Sequence, residues 1–212
     1  MVFAVDARLG VATFEDLRNS KPALTVATAP HDGDNLLGLA GHEMLSRAGI
    51  EIVEWGGSLL ADDSPFASLE RIRTGDANAI LHEAVMLPGW QEIASELTFL
   101  SVERHVLDGL NDELSWPSAV VPAGYFPGGP EFETLDFSDF LVLSRIDMPT
   151  TSPMRLHGFW ARPVLRWKHQ YRHIPPERSP VTYPLDPIAM GRTPIPLYPG
   201  AAAYYDVILG DR

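Results

Sequence analysis

Hydrophobic and polar positions switch between two periods along the first half of the chain. Residues 24–29 form a short apolar and β-branched run, which predicts a strand. Pro30 and Gly33 break it, and Leu36, Leu37, Ala40, Met44 and Leu45 then recur at helical spacing until Gly49 closes the helix. Residues 50–55 predict a second strand. Ser64 as cap and Pro65 at the first position open a second helix; Phe66, Leu69 and Ile72 give it an apolar stripe, and Gly75 ends it. Residues 78–82 and 97–102 predict two more strands, separated by a helix over 88–94 that carries Trp90 and Ile93. A further helix is predicted over 104–114, with Val106, Leu107 and Leu110 on one side. Strands and helices alternating at this spacing imply right-handed crossovers, hence an α/β fold with a mainly parallel sheet flanked by helices.

The second half reads differently. Residues 119–121 and 137–143 predict strands joined by the turn-rich stretch 122–130, and 199–208 predicts a closing helix with Pro199 near its start. Many of the 19 prolines lie after Pro149, so short elements and loops are expected there. Residues 150–173 hold Arg155, Arg162, Arg166, Lys168 and Arg172 and no acid.

Composition narrows the function classes. A chain of 212 residues can build one large domain or two small lobes. Its net charge of −12 opposes binding to nucleic acid or to an anionic membrane surface, both of which need clustered bases. With no cysteine, thiolate nucleophiles, disulfides and cysteine zinc sites are excluded. No run approaches the roughly 20 apolar residues of a membrane-spanning helix, and the first residues do not read as a secretory signal.

Motifs for chemistry are missing as well. His42-Glu43 lacks the second histidine that a zinc-protease helix needs, since Ser46 stands there. The other histidines, His105, His157, His169 and His173, show no ligand spacing, so no metal and no cofactor is expected. The phosphate-loop, dinucleotide and nucleophile-elbow patterns are absent, and no enzyme activity is expected.

Four stretches carry a resemblance: Phe14-Glu15-Asp16-Leu17; residues 69–79, a helix ending in a Gly–acid–Ala turn; residues 121–128 around Pro122-Ala123-Gly124-Tyr125; and residues 195–202, followed by Tyr204 and Tyr205. In this order they resemble the extracytoplasmic solute receptors of tripartite ATP-independent periplasmic (TRAP) transporters, of the TAXI family. The resemblance implies a two-lobed periplasmic-binding fold of the second type, closing on a small polar solute (an amino acid, dicarboxylate or amine-like compound) and delivering it to a membrane permease. It implies a periplasmic location, although the chain shows no export signal. Matched to such receptors, residues 1–118 correspond to a complete second lobe of β/α repeats. Residues 119–212 correspond to the crossover and the part returning to a partial first lobe, so the chain reads as truncated at its N-terminus. The basic stretch 150–168 departs from the family and reads either as a lineage-specific loop or as a local frameshift. Two alternatives stay open: a cytoplasmic sensor or enzyme on the same lobe type, and a truncated product without function.

The expected ligand contacts follow from position. The loop 29–35 joins the C-terminal end of a strand to the N-terminus of a helix, where ligands of open α/β sheets gather. It offers His31, Asp32, Gly33, Asp34 and Asn35. Asp32 and Asp34 stand where the family has hydroxyl residues, which favours a cationic or hydrogen-bond-donating solute; the alternative for Asp34 is to cap the helix. His82 and Glu83 end the third strand and should lie beside that loop. Tyr125 could pack on a solute, or serve in core and hinge packing. Trp55 and Trp90 fit the core better than a ligand platform.

Overall fold

The structure is a computed structural model. It describes residues 1–33, 35–83 and 88–137, together with Pro196, Leu197, Pro199 and Ala202. The chain divides into two compact units, Met1–Asp139 and Phe140–Arg212, and all elements below belong to the first. Asp34, all but the first residue of the strand expected over 137–143, the basic stretch 150–168 and most of the expected closing helix lie outside the described residues.

The first unit is α/β. A five-stranded sheet has the order β3-β2-β4-β1-β5, with β1 at Val2–Asp6, β2 at Thr25–Thr28, β3 at Ser58–Ala61, β4 at Ala79–His82 and β5 at Leu97–Phe99. Strands β2, β3 and β4 run parallel, as the alternating pattern predicts. Strand β1 is antiparallel to both its neighbours, β4 and β5, so β5 runs with the parallel set. A two-stranded antiparallel ribbon, β6 at Ser118–Val121 and β7 at Phe132–Leu135, stands beside it.

Pleat alternation sorts the side chains onto two faces. Phe3 and Val5 of β1, Val26 of β2 and Leu81 of β4 join α1 (Phe14–Ser20), α2 (Leu36–Arg47) and α5 (Arg104–Leu114) in one core. Leu17, Met44, Leu107 and Leu110 are buried there, each contributing about 1.5–3 kcal/mol by burial. The opposite face carries Ile80 and Phe99, under α3 (Pro65–Thr74) and α4 (Pro88–Ile93) with Leu69 and Trp90.

The signals of α3 act as read. Ser64 Oγ accepts the Phe66 N–H, Pro65 takes the first position and Gly75 closes α3 in the left-handed region. Thr13 and Asp16 form a reciprocal capping box on α1. Three strands differ from the expectation: the pattern predicts neither β1 nor β7, and β3 lies later than the run expected for it. Residues 52–56 form a turn, and the second parallel strand begins only at Ser58. Ile50 and Ile52 are buried as loop anchors rather than as strand residues. At Gly57 a Cβ would stand 2.2 Å from the Leu24 carbonyl oxygen, so the backbones meet there and β3 pairs only beyond that point.

Candidate functional site

Register places the site. Thr28 of β2 pairs with Ala61 of β3 and with Leu81 of β4. The next residues, Ala29, Asp62 and His82, therefore lie level at the carboxyl edge of the three parallel strands. Alternation sends all three to the face covered by α3. Ala29 is the middle one and has almost no side chain, so Asp62 and His82 approach across it.

Asp62 is only 7% exposed. Its carboxylate accepts the Ser68 hydroxyl at 3.0 Å and the Arg71 Nε–H at 2.9 Å, both from α3. Its own N–H donates to the Thr28 carbonyl at 2.8 Å, continuing the ladder by one residue. A buried carboxylate needs such a partner, since an unpaired charge there would cost several kcal/mol. These three residues were missed in the sequence. The signal was an acid just before the cap Ser64, then Ser68 and Arg71 three apart on one helix face.

His82 is 3% exposed. Its Nδ1 accepts the Glu83 N–H at 2.8 Å, while Nε2 has no hydrogen-bond partner. Burial pushes the imidazole below its ordinary pKa, and the nearby Asp62 opposes that through its charge and its main chain. The Glu83 carbonyl accepts the Trp90 indole N–H at 3.3 Å, which fixes the strand end against α4.

The loop after β2 occupies the other face. His31 stacks on His42 of α2, with ring centroids 4.3 Å apart and planes 23° from parallel. His31, Asp32 and Gly33 are exposed, and Gly33 adopts φ +88°. Strands β2 and β4 are neighbours, so the loop and His82-Glu83 share one edge. Yet His31 leans on α2 while His82 points under α3, and the sheet edge separates the two rings.

The cap of α2 is Asn35. Asn35 Oδ1 accepts the N–H groups of Leu37 and Gly38 at 3.0 and 3.2 Å. The residue at the extended position before the first helical turn is Asn35, and Asp34, for which capping was the alternative reading, lies outside the described residues. Two of the free N–H groups expected at this helix start are thus already bonded.

Neither a family model nor a curated protein matches the chain. Its likeness to the receptors rests on the four sequence stretches alone.

Tyr125 lies away from the loop. It is 6% exposed and meets Phe126 edge-on, at 4.9 Å and 88°, in an aromatic cluster. Phe126 continues that cluster to Phe99, Phe132 and Trp90. Phe126 and Trp90 connect Tyr125 to the Glu83 carbonyl at the edge. A cleft of about 310 Å³ also lies off the carboxyl edge, along β5, between Thr98 and Phe99 on one side and Gly128 and Gly129 on the other. It contains no titratable side chain, so the polar chemistry sits at the strand ends instead.

Among the described residues no three His, Asp or Glu side chains gather to hold a metal ion. Nor do the described residues of the edge form a nucleophile relay. Ser68 donates to Asp62, while His82 bonds neither hydroxyl nor carboxylate. The arrangement can hold a polar group and orient it.

Proposed function

We propose that this chain is the extracytoplasmic receptor of a TRAP-type transporter of the TAXI family. It binds a small polar solute reversibly and presents it to a membrane permease. In this reading Met1–Asp139 is a lobe of the type 2 periplasmic-binding fold, and the protein works in the periplasm.

The observation that carries the reading is the buried polar pair Asp62 and His82 at the carboxyl edge of parallel strands. Ligands of open α/β sheets bind outside that edge. The absence of a relay among these residues favours binding over turnover. A second observation concerns the chain path. Val2 lies level with His82, so β1 starts at the same edge. The Met1 amino group donates to the Leu135 carbonyl at 2.7 Å, so the end of β7 reaches that edge too. Both segments therefore frame the edge at which the solute binds in this reading.

Calorimetry of the full chain against amino acids, dicarboxylates and amines, with each mixture assayed for conversion, tests the proposal. Saturable binding without conversion is expected. Turnover of a bound compound would move the assignment to an enzyme on this fold.

A further inference from the structure

The bonding of His82 specifies what the edge can hold. Its Nδ1 accepts a main-chain N–H, so that nitrogen carries no proton. The ring is therefore the neutral tautomer with its proton on Nε2. An imidazolium would set one N–H against another. Nε2–H is thus a donor, on a side chain 97% buried by the 3% exposure above; the Asp62 main chain lies near it, but no acceptor stands at hydrogen-bond geometry. A buried donor left unmatched costs about 1–3 kcal/mol, which an incoming acceptor recovers.

The surroundings decide the acceptor's charge. The carboxylate of Asp62 is already engaged by Ser68 and Arg71, so it is not open to an amine. The Arg71 charge is in turn matched by Asp62. Asp32, Asp63 and Glu83 add negative charge to the same strand ends; against them stand Arg71, bonded to Asp62, and the Met1 amino group near Glu83, whose pKa burial lowers to about 6. Neither flanking helix offers an open anion seat. Asn35 takes the Leu37 and Gly38 N–H groups of α2. In α3, Pro65 has no N–H, Ser64 Oγ takes that of Phe66, and the Ser64 carbonyl takes those of Ala67 and Ser68. Among the described residues an anion would meet net repulsion, with the His82 donor to offset it.

We propose that His82 anchors an uncharged solute, through a carbonyl or hydroxyl oxygen that accepts the Nε2–H bond. The inference rests on the reading of this edge as a solute site, and it departs from the amine-like solute that Asp32 and Asp34 favour in the sequence. Amides, sugars and polyols belong to the class; carboxylates and amines do not.

The test uses the full chain labelled with ¹⁵N-histidine and matched probes: propionamide with propionate, nicotinamide with nicotinate, and myo-inositol. Ring nitrogen shifts report the tautomer, and titration reports occupancy at His82. The expected result is a proton on Nε2, a His82 ring response to an uncharged probe, and at least tenfold weaker binding of its carboxylate partner. His82→Leu should lose that binding tenfold or more, while His82→Gln, which keeps a donor, should retain most of it. Circular-dichroism melts confirm that both variants fold, and the wild-type tautomer stands as a readout if they do not. A proton on Nδ1, tighter binding of the carboxylate, or a ring that no probe perturbs because only a resident water sits there would overturn the inference. A charged solute bound elsewhere on the edge would end this inference and leave the receptor reading intact. Failure of every solute class in calorimetry would end both.

Discussion

Gly38 shows how a single hydrogen can position a loop. A Cβ at this place in α2 would stand 1.9 Å from the Pro30 carbonyl oxygen and 2.6 Å from its carbon. Both are main-chain atoms and cannot swing aside. Alanine would gain about 1 kcal/mol in helix propensity over glycine. Overpacking against backbone costs about 1–3 kcal/mol or more, so it should outweigh that gain. Gly38→Ala is expected to lower unfolding free energy by about 1 kcal/mol in urea and to disturb the His31–His42 stack. A stabilised variant would show that the loop does not press on the helix. A second residue-scale prediction concerns the Met1 amino group, which burial lowers to a pKa of about 6 against the pull of Asp136 and Glu83. In a chain that begins at this amine, the unfolded state holds the proton up to about pH 8, and the folded state only below about pH 6. Unfolding takes up a proton between those values, so stability rises with pH across that window, by at most about 3 kcal/mol. Urea melts at pH 6 and pH 8 check it. N-terminal acetylation should remove this dependence, leaving the smaller one from His82, whose lowered pKa also makes stability fall as pH drops below its ordinary value. An unchanged slope after acetylation would assign the whole effect elsewhere.

At the scale of elements, Arg18 binds three helices. Its guanidinium donates to the Ala48 carbonyl at the end of α2 and to both oxygens of Glu103, just before α5, at 2.8 and 2.5 Å. The Arg18 guanidinium holds the Glu103 carboxyl below the usual carboxylate range. Both side chains are about one-third exposed or less, so water screens the pair only partly. A double-mutant cycle with Arg18→Met and Glu103→Gln should give a coupling of roughly 1–2 kcal/mol, above the usual surface ion pair. A coupling near zero would reduce the pair to decoration. Helices α2, α3, α4 and α5 were legible because their stripes and breakers are local, as Ser64, Pro65 and Gly75 show for α3; α1 was not, since its seven residues are too few to show a repeat. Two strands were not. β1, Val-Phe-Ala-Val-Asp, is buried on both faces and therefore shows no alternation, and it contacts partners some 75 and 95 residues away. β7 depends on β6 and on Met1, contacts that no local pattern encodes. The run 50–55 misled for the opposite reason: Ile50 and Ile52 are apolar because a loop is anchored by them.

For the whole molecule, position was more legible than chemistry. Strand-to-helix alternation located the carboxyl edge, and with it the loop after β2 and His82. The sequence did not show that His31 and His82 point to opposite sides of the sheet, because that depends on the register between strands 50 residues apart. Nor did it mark Asp62, Ser68 and Arg71 as a buried set, since each alone reads as a turn or solvent-facing residue. The two halves of the edge make a definite prediction of where a solute acts. The most direct measurement is amide hydrogen exchange on the full chain, with and without a solute that calorimetry shows to bind. The account predicts slowed exchange at residues 29–33, 62–64 and 82–83 together, and none of the solute converted. Protection confined to the cleft along β5, with the strand ends unchanged, would contradict it.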